Sequence, residues 1–300
     1  MSDVSWSVKT QKRCASLIEK MLLPNNFHEI VRDIYLPLTQ IILNKKKNQP
    51  LLVSINGAQG TGKSTLTAFI KQIIETELDC HVAALSLDDF YLSRANRQQL
   101  AEKIHPLFIT RGVPGTHGLD EIEKALDSLI NRKKCVAPKF SKAIDDLSNK
   151  SEWVAYNNPV EVILFEGWCN NSPIQNETEL TKPINELEEN EDTKSIWRHY
   201  ANEQLKQYHH RIFDHTDMCI MLKPPSFEQI YDWRSLQEKK LKANTPSHQQ
   251  HIMSDEQLKH FIQHYERITR HTLDHLPAIA DVIIAITADH SLTGITQKND

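Results

Sequence analysis

The sequence predicts an α/β fold in which a doubly wound, parallel five-stranded sheet carries helices on both faces. Five apolar runs of strand length, Leu51 to Ile55, His81 to Leu87, Val160 to Phe165, Met218 to Leu222 and Asp281 to Ile286, are separated by helical or mixed segments, and that alternation implies a parallel sheet covered on both sides. The first run leads directly into Gly57-Ala58-Gln59-Gly60-Thr61-Gly62-Lys63-Ser64, which opens a helix-like stretch. That is the strand, loop and helix context of a phosphate-binding loop. Ligands of such sheets gather beyond the carboxyl ends of the strands, so chemistry is expected just after the first three.

Before the first strand, Ile30, Ile34, Leu38, Ile41 and Ile42 recur at helical spacing. Pro37 falls inside the pattern and is expected to kink it or start a second helix. Residues 1–48 therefore read as a helical segment covering the sheet, and the run Lys45 to Lys47 beside Gln49-Pro50 as a solvated linker. In the glycine-rich loop, backbone N–H groups and the start of the next helix would face phosphate oxygens. Lys63 would reach the β and γ phosphates of a nucleoside triphosphate, and Ser64 would coordinate Mg²⁺. The nucleotide-binding set is Gly57, Ala58, Gln59, Gly60, Thr61, Gly62, Lys63, Ser64 and Thr65.

The second strand ends in Asp88-Asp89-Phe90-Tyr91, two carboxylates and a phenol at the carboxyl edge of the sheet. Phosphoryl transfer is mostly positioning and electrostatics, so a carboxylate here can orient an acceptor hydroxyl and take its proton. Asp88 is the candidate base, with Asp89 as a helper toward Mg²⁺ or as a helix cap. Residues 93–158 break the pattern and read as an insertion over the active-site rim. They contain a helix over Leu119 to Arg132 and a short antiparallel pair, Val136 to Phe140 with Trp153 to Tyr156. The turn-rich stretch His105 to Gly118 carries Arg111, whose planar fork suits a carboxylate, and Lys139 or Lys142 could add a second charge.

The third strand ends in Phe165-Glu166-Gly167-Trp168, which places Glu166 where an acid would hold a Mg²⁺-bound water. Gln175 to Lys194 is acidic and reads as a solvated loop with a helical turn. After the fourth strand, Trp233-Arg234-Ser235-Leu236 begins a charged helix. Residues 226–243 are the expected lid, bringing Arg234 onto the transferring phosphate. The pairs His260 and His264, and His271 and His275, lack a third ligand in register and read as a solvated face.

Bulk properties narrow the function classes. The chain has 300 residues, is 39% hydrophobic and 25% charged, and has a net charge of −4, which suits one globular domain spanning 1–300 and disfavours nucleic-acid binding through a basic surface. Its five cysteines form no CxxC pair and are odd in number, so a reducing cytoplasm is expected, without a disulfide framework or zinc ribbon. No secretory h-region or membrane-spanning apolar run is visible. The missing NKxD and LSGGQ-like segments disfavour a GTPase switch and an ABC-type ATPase.

Several motifs together resemble the D-glycerate 3-kinase family of P-loop kinases, relatives of phosphoribulokinase, uridine kinase and bacterial-type pantothenate kinase. They are Ile55 to Thr65, Leu85 to Tyr91, Thr110-Arg111-Gly112-Val113-Pro114-Gly115-Thr116-His117, Pro138 to Ala143, Phe165 to Cys169, Pro183 to Glu188 and Tyr200 to Leu205. The Arg-Gly-Val-Pro-Gly-Thr-His loop is the most specific of them. The resemblance implies a P-loop kinase that uses ATP and Mg²⁺ to phosphorylate a small hydroxy acid, most simply D-glycerate to 3-phosphoglycerate. It places Asp88 as base, Glu166 near the metal and Arg111 near the substrate carboxylate, within an acceptor set of Tyr91, Arg111, His117, Lys139 and Lys142. Lys63 and Arg234 would stabilise the transferring phosphoryl group. In the lid, Ser235 and Leu236 intervene where family members have a Trp-Arg-Leu-Gln-Gln-Glu type of sequence. The competing functions are uridine or pantothenate kinase chemistry and an ATP-binding regulatory role.

Overall fold

In a computed structural model, which describes residues 6–244 and 254–298, the chain runs α1 (Val8–Lys20), α2 (Phe27–Ile30), α3 (Leu36–Lys45), β1 (Leu51–Gly57), α4 (Lys63–Leu78) and β2 (Val82–Ser86). It continues through α5 (Arg94–Lys103), α6 (Leu119–Ile130), β3 (Cys135–Ala137), β4 (Phe140–Ser141), β5 (Asp146–Leu147), β6 (Val154–Tyr156) and β7 (Val162–Gly167). Last come α7 (Glu186–Glu191), α8 (Ile196–Arg211), β8 (Met218–Lys223), α9 (Phe227–Asn244), α10 (Asp255–His275), β9 (Val282–Ile286) and β10 (Leu292–Gln297).

The five expected strands form the parallel part of the main sheet, whose order is β10-β9-β8-β1-β7-β2. The sixth strand, β10, was not expected: it lies antiparallel on β9, with a register shift between Leu292 and Ile295. Its sequence, Leu-Thr-Gly-Ile-Thr-Gln, is half polar and holds a glycine, as an edge strand with one open side tolerates. In the centre, β7 lies between β1 and β2, with Ile55 opposite Glu166 and Ser86 opposite the same residue. The glycine loop, Glu166 and the Asp88 turn therefore leave the sheet at one edge and side by side.

One face of the sheet is covered by α1 to α4, whose Cys14, Ile18, Leu38, Ile42, Leu66, Phe69 and Ile70 pack on Val53, Ile55, Leu164 and Ile220. The other is covered by α6, α8 and α10 through Ile122, Leu126, Leu205, Tyr208, Tyr265 and Ile268. Alternate residues of β1 serve the two cores, Leu52 facing the second and Val53 the first, as a period-two strand buried on both sides requires. The expected kink at Pro37 is a π-helical turn over Val31–Tyr35, closed by Leu36 N–H donating to the carbonyl of Val31. Proline lacks an N–H and its ring crowds the preceding turn, so the helix widens just ahead of it.

Three surface assignments change. Lys45 and Lys46 are not a plain solvated linker, because they pair with Asp281 at 2.6 Å and Glu161 at 2.8 Å and so tie α3 to the starts of two sheet strands. The acidic stretch is not simply solvated either: Glu188 and Asp192 are completely buried, on Arg267 and Arg198 respectively. His264 and His271 are buried on the inner side of α10, so the histidine pairs are only half a solvated face. Within 93–158, α6 is a sheet-covering helix. The rim piece at the cleft is the β4–β5 hairpin; of the expected antiparallel pair, Val136 and Ala137 do lie opposite Ala155 and Val154, whereas Phe140 begins β4 and pairs with Leu147 instead.

Candidate active site

The glycine loop closes tightly. A Cβ on Gly57 would meet Thr61 Oγ1 at 2.6 Å, Leu222 Cβ at 3.0 Å and Lys63 Cγ at 3.1 Å, so only glycine lets the chain turn directly off the buried end of β1. After Gly62, α4 begins at Lys63 and directs its unpaired N–H groups toward the loop. Lys63 Nζ donates to the carbonyl of Ala58 at 3.1 Å. Burial pulls its pKa down against the opposing charges of Glu166 and Asp88. Ser64 Oγ donates to Glu166 Oε1 at 2.9 Å, which brings together two of the three residues expected at the metal.

Asp88 sits in a 3₁₀ turn, Leu87–Phe90, on the end of β2. Its Oδ1 accepts from the Tyr91 hydroxyl at 3.0 Å and its Oδ2 from Lys142 Nζ at 2.6 Å. Burial pushes the Asp88 carboxyl up, but Lys142 and Lys63 outweigh it and hold the group below the usual carboxylate range. Ser64, Asp88, Asp89, Lys139, Lys142 and Glu166 line one cleft of about 510 Å³. Ser64 at the start of α4 and the two lysines of the expected acceptor set therefore share a single opening, while Tyr91, Arg111 and His117 are not among the residues that line it.

Asp89 lines this cleft too but does not cap the next helix, whose N-cap is Ser93. Its Oδ2 accepts from Lys139 Nζ at 3.0 Å and its Oδ1 from Phe140 N–H at 3.3 Å. Both oxygens thus anchor the β4–β5 hairpin. Arg111 pairs with Asp145 at the tip of that hairpin and lies over the Phe140 ring, 5.6 Å from its centroid. His117 stacks on Tyr91 at 4.5 Å and its Nδ1 lies 2.9 Å from the Tyr208 hydroxyl. Burial lowers its pKa to about 3, so the ring is neutral. The N-terminal part of α9 lies over the glycine loop through Trp233, which a Cβ on Gly60 would approach to 3.7 Å. The positive charge of the neighbouring Arg234 reaches Tyr265, which also feels Asp88 and Arg111.

Three further residues hold the acceptor side, and little in the sequence marks them. Arg97 in α5 is 1% exposed and bonds the carbonyls of Ile109 and Asp145 and the Asp145 carboxylate. It thus fixes the hairpin tip to the loop that carries Arg111. Tyr265 donates to the carbonyl of Arg111 and Trp168 Nε1 to that of Gly112, both at 3.0 Å. A Cβ on Gly112 would strike the Tyr265 hydroxyl at 2.5 Å, which explains the glycine of this motif.

Compared with known proteins, the chain is 30% identical over 234 residues to an uncharacterized kinase, mug58, of Schizosaccharomyces pombe, covering 74% of this chain and 80% of that one. The chain belongs to the D-glycerate 3-kinase family of P-loop kinases. The chloroplastic D-glycerate 3-kinase of Arabidopsis thaliana is 26% identical over 227 residues, which are 72% of this chain but 46% of that protein. A D-glycerate 3-kinase structure from Cryptococcus neoformans superposes with a TM-score of 0.72 at 24% identity, covering 88% of this chain and 99% of that one. The YGR205w protein does so at 0.70 and 19% identity, covering 98% and 100%. These two likenesses establish the fold. No family model matches the sequence. As a member of this family the chain is a kinase, an ATP-using phosphotransferase with a hydroxyl acceptor.

Proposed function

We propose that this kinase transfers the γ-phosphoryl group of ATP to a hydroxyl of a small hydroxy acid, with D-glycerate, giving 3-phosphoglycerate, as its substrate. The observation that carries this reading is the shared cleft, in which Asp88 lies with two lysines beside the Ser64–Glu166 pair. A neutral nucleoside acceptor needs no such cations, whereas a carboxylate needs a counter-charge. The glycerate kinase among the relatives of this chain supports the same substrate.

In this scheme Asp88 receives the hydroxyl proton and orients the attacking oxygen, while Lys63 and Arg234 spread the charge that develops on the transferring group. Arg111, Lys142 and Lys139 offer cations to the acid, and Tyr91 and the neutral His117 wall its pocket. Ser64 and Glu166 suit Mg²⁺: both offer hard oxygens, and this ion takes one or two protein oxygens and completes its shell with water and phosphate. No group of three or more His, Cys, Asp or Glu among the described residues could hold a metal. When bound, it would neutralise phosphate charge.

We assign the chain to the cytoplasm as a single domain acting on a small molecule, with its five cysteines free as a reducing compartment keeps them. No helix among the described residues is long and apolar enough to cross a membrane. The test is an ATP-coupled screen of small hydroxy acids and nucleosides with the wild type and Asp88→Asn. D-glycerate should support turnover, and the variant should lose on the order of a hundredfold or more in kcat while still binding ATP. Intact acceptor-dependent turnover in Asp88→Asn would remove Asp88 as the base.

A further inference from the structure

The three cations on the acceptor side each have a carboxylate partner within this chain: Lys142 with Asp88, Lys139 with Asp89 and Arg111 with Asp145. They are not equally held. Arg111 is 20% exposed, lies over Phe140, and its backbone carbonyl is pinned by Tyr265. Lys139 stands beside Phe140, whose own N–H bonds the same Asp89. Lys142 is 62% exposed and sits in the turn between β4 and β5.

Each carboxylate would keep a second partner if its cation left, and for Asp89 that is the N–H of Phe140 at 3.3 Å. Asp145 would keep the buried Arg97 at 2.9 Å, and Asp88 would keep the Tyr91 hydroxyl at 3.0 Å. Lys142, at 62% exposed against 48% for Lys139 and 20% for Arg111, is therefore the cation freest to change partner, and the oxygen it covers belongs to the proposed base.

Building on the acid-acceptor reading, we propose that Lys142 makes phosphoryl transfer conditional on an anionic acceptor. Asp88 and the acceptor's carboxylate compete for one ammonium, and when the acceptor takes it, Oδ2 of Asp88 is uncovered for the reacting hydroxyl. In the transfer that follows, the hydroxyl oxygen bonds to the γ phosphorus. The bond from that phosphorus to the β–γ bridging oxygen breaks, its electron pair leaves on ADP, and the hydroxyl proton passes to Asp88. Water can enter the same reaction and yield inorganic phosphate. A lysine that covers Asp88 until an anion draws it off suppresses that loss and disfavours neutral alcohols of the same size.

The test measures ATP hydrolysis without acceptor, and transfer to D-glycerate and to glycerol, in the wild type, Lys142→Met, Lys142→Arg and the double variant Lys142→Met/Asp88→Asn. An exposed ion pair is a weak brake, so Lys142→Met should raise acceptor-free hydrolysis by about fivefold. It should also lower the preference for D-glycerate over glycerol by roughly tenfold, because a carboxylate partner is lost. Lys142→Arg should restore both, and the double variant should lose the extra hydrolysis. Unchanged or reduced hydrolysis in Lys142→Met, or extra hydrolysis that survives Asp88→Asn, would overturn the proposal. Should the wild type phosphorylate neither compound, the substrate assignment fails, and the hydrolysis comparison still decides the role of Lys142.

Discussion

At Gly112 a single hydrogen atom separates a workable acceptor loop from a displaced one. Its missing Cβ leaves room for the Tyr265 hydroxyl to reach the carbonyl of Arg111. Gly112→Ala is therefore expected to push that hydroxyl away and shift the Arg111 fork. The KM for the acceptor should rise roughly ten- to hundredfold, because misplacement near 1 Å is enough to cost that much, while the KM for ATP stays the same. Steady-state kinetics with each substrate varied in turn separates this from general damage, which would move both constants. The motif residues Asp88, Glu166 and Lys63 were legible from the sequence, because strand ends and a glycine loop localise them. Arg97, Tyr265 and Tyr208 were not, since an arginine in a polar helix and tyrosines in amphipathic ones carry no mark of what they bond.

Among the elements, the segment around α7 shows how composition can mislead. Seven acids within twenty residues read as solvent-facing, yet Glu188 accepts from Arg267 of α10 through both oxygens, at 2.7 and 2.6 Å. The partner lies seventy-nine positions away, which no local pattern can encode. Arg267→Met should leave that carboxylate buried without a counter-charge and cost about 3–5 kcal/mol, read as a lower urea midpoint. Lys45→Met removes a pair in which both side chains are about a third exposed and should cost less than ~1 kcal/mol. Equal losses in the two variants would refute the assignment of Glu188 as the structurally critical acid. The parallel strands were legible because both of their faces are apolar, whereas β10, open along one edge, offered no such run.

For the molecule as a whole, imidazoles buried as neutral rings contribute to the acid side of its stability, His117 and His264 foremost. Burial lowers His117 to about 3 and His264 to about 4, against roughly 6.5 in an unfolded chain. Between those values the unfolded state binds more protons than the folded one, so stability is fully present above about pH 6.5 and falls as the pH drops toward 4. His264 alone accounts for on the order of 3 kcal/mol of that fall. Urea unfolding followed from pH 7.5 to 4.5 should show the decline, and His264→Phe should flatten part of it. A slope identical to that of the wild type would exclude His264 as a source.

Trp233 meets the glycine loop, stacks on His290 at 4.0 Å, and donates its indole N–H to the carbonyl of Ala288 at 2.9 Å. An indole is a natural fluorophore, and this one stands where a triphosphate in the glycine loop is expected to alter its surroundings. Adding ATP should change the emission of the unlabelled protein, and Trp233→Phe should abolish most of the response. The kinase thus carries its own optical probe of nucleotide saturation, placed by the same packing that lays α9 across the loop.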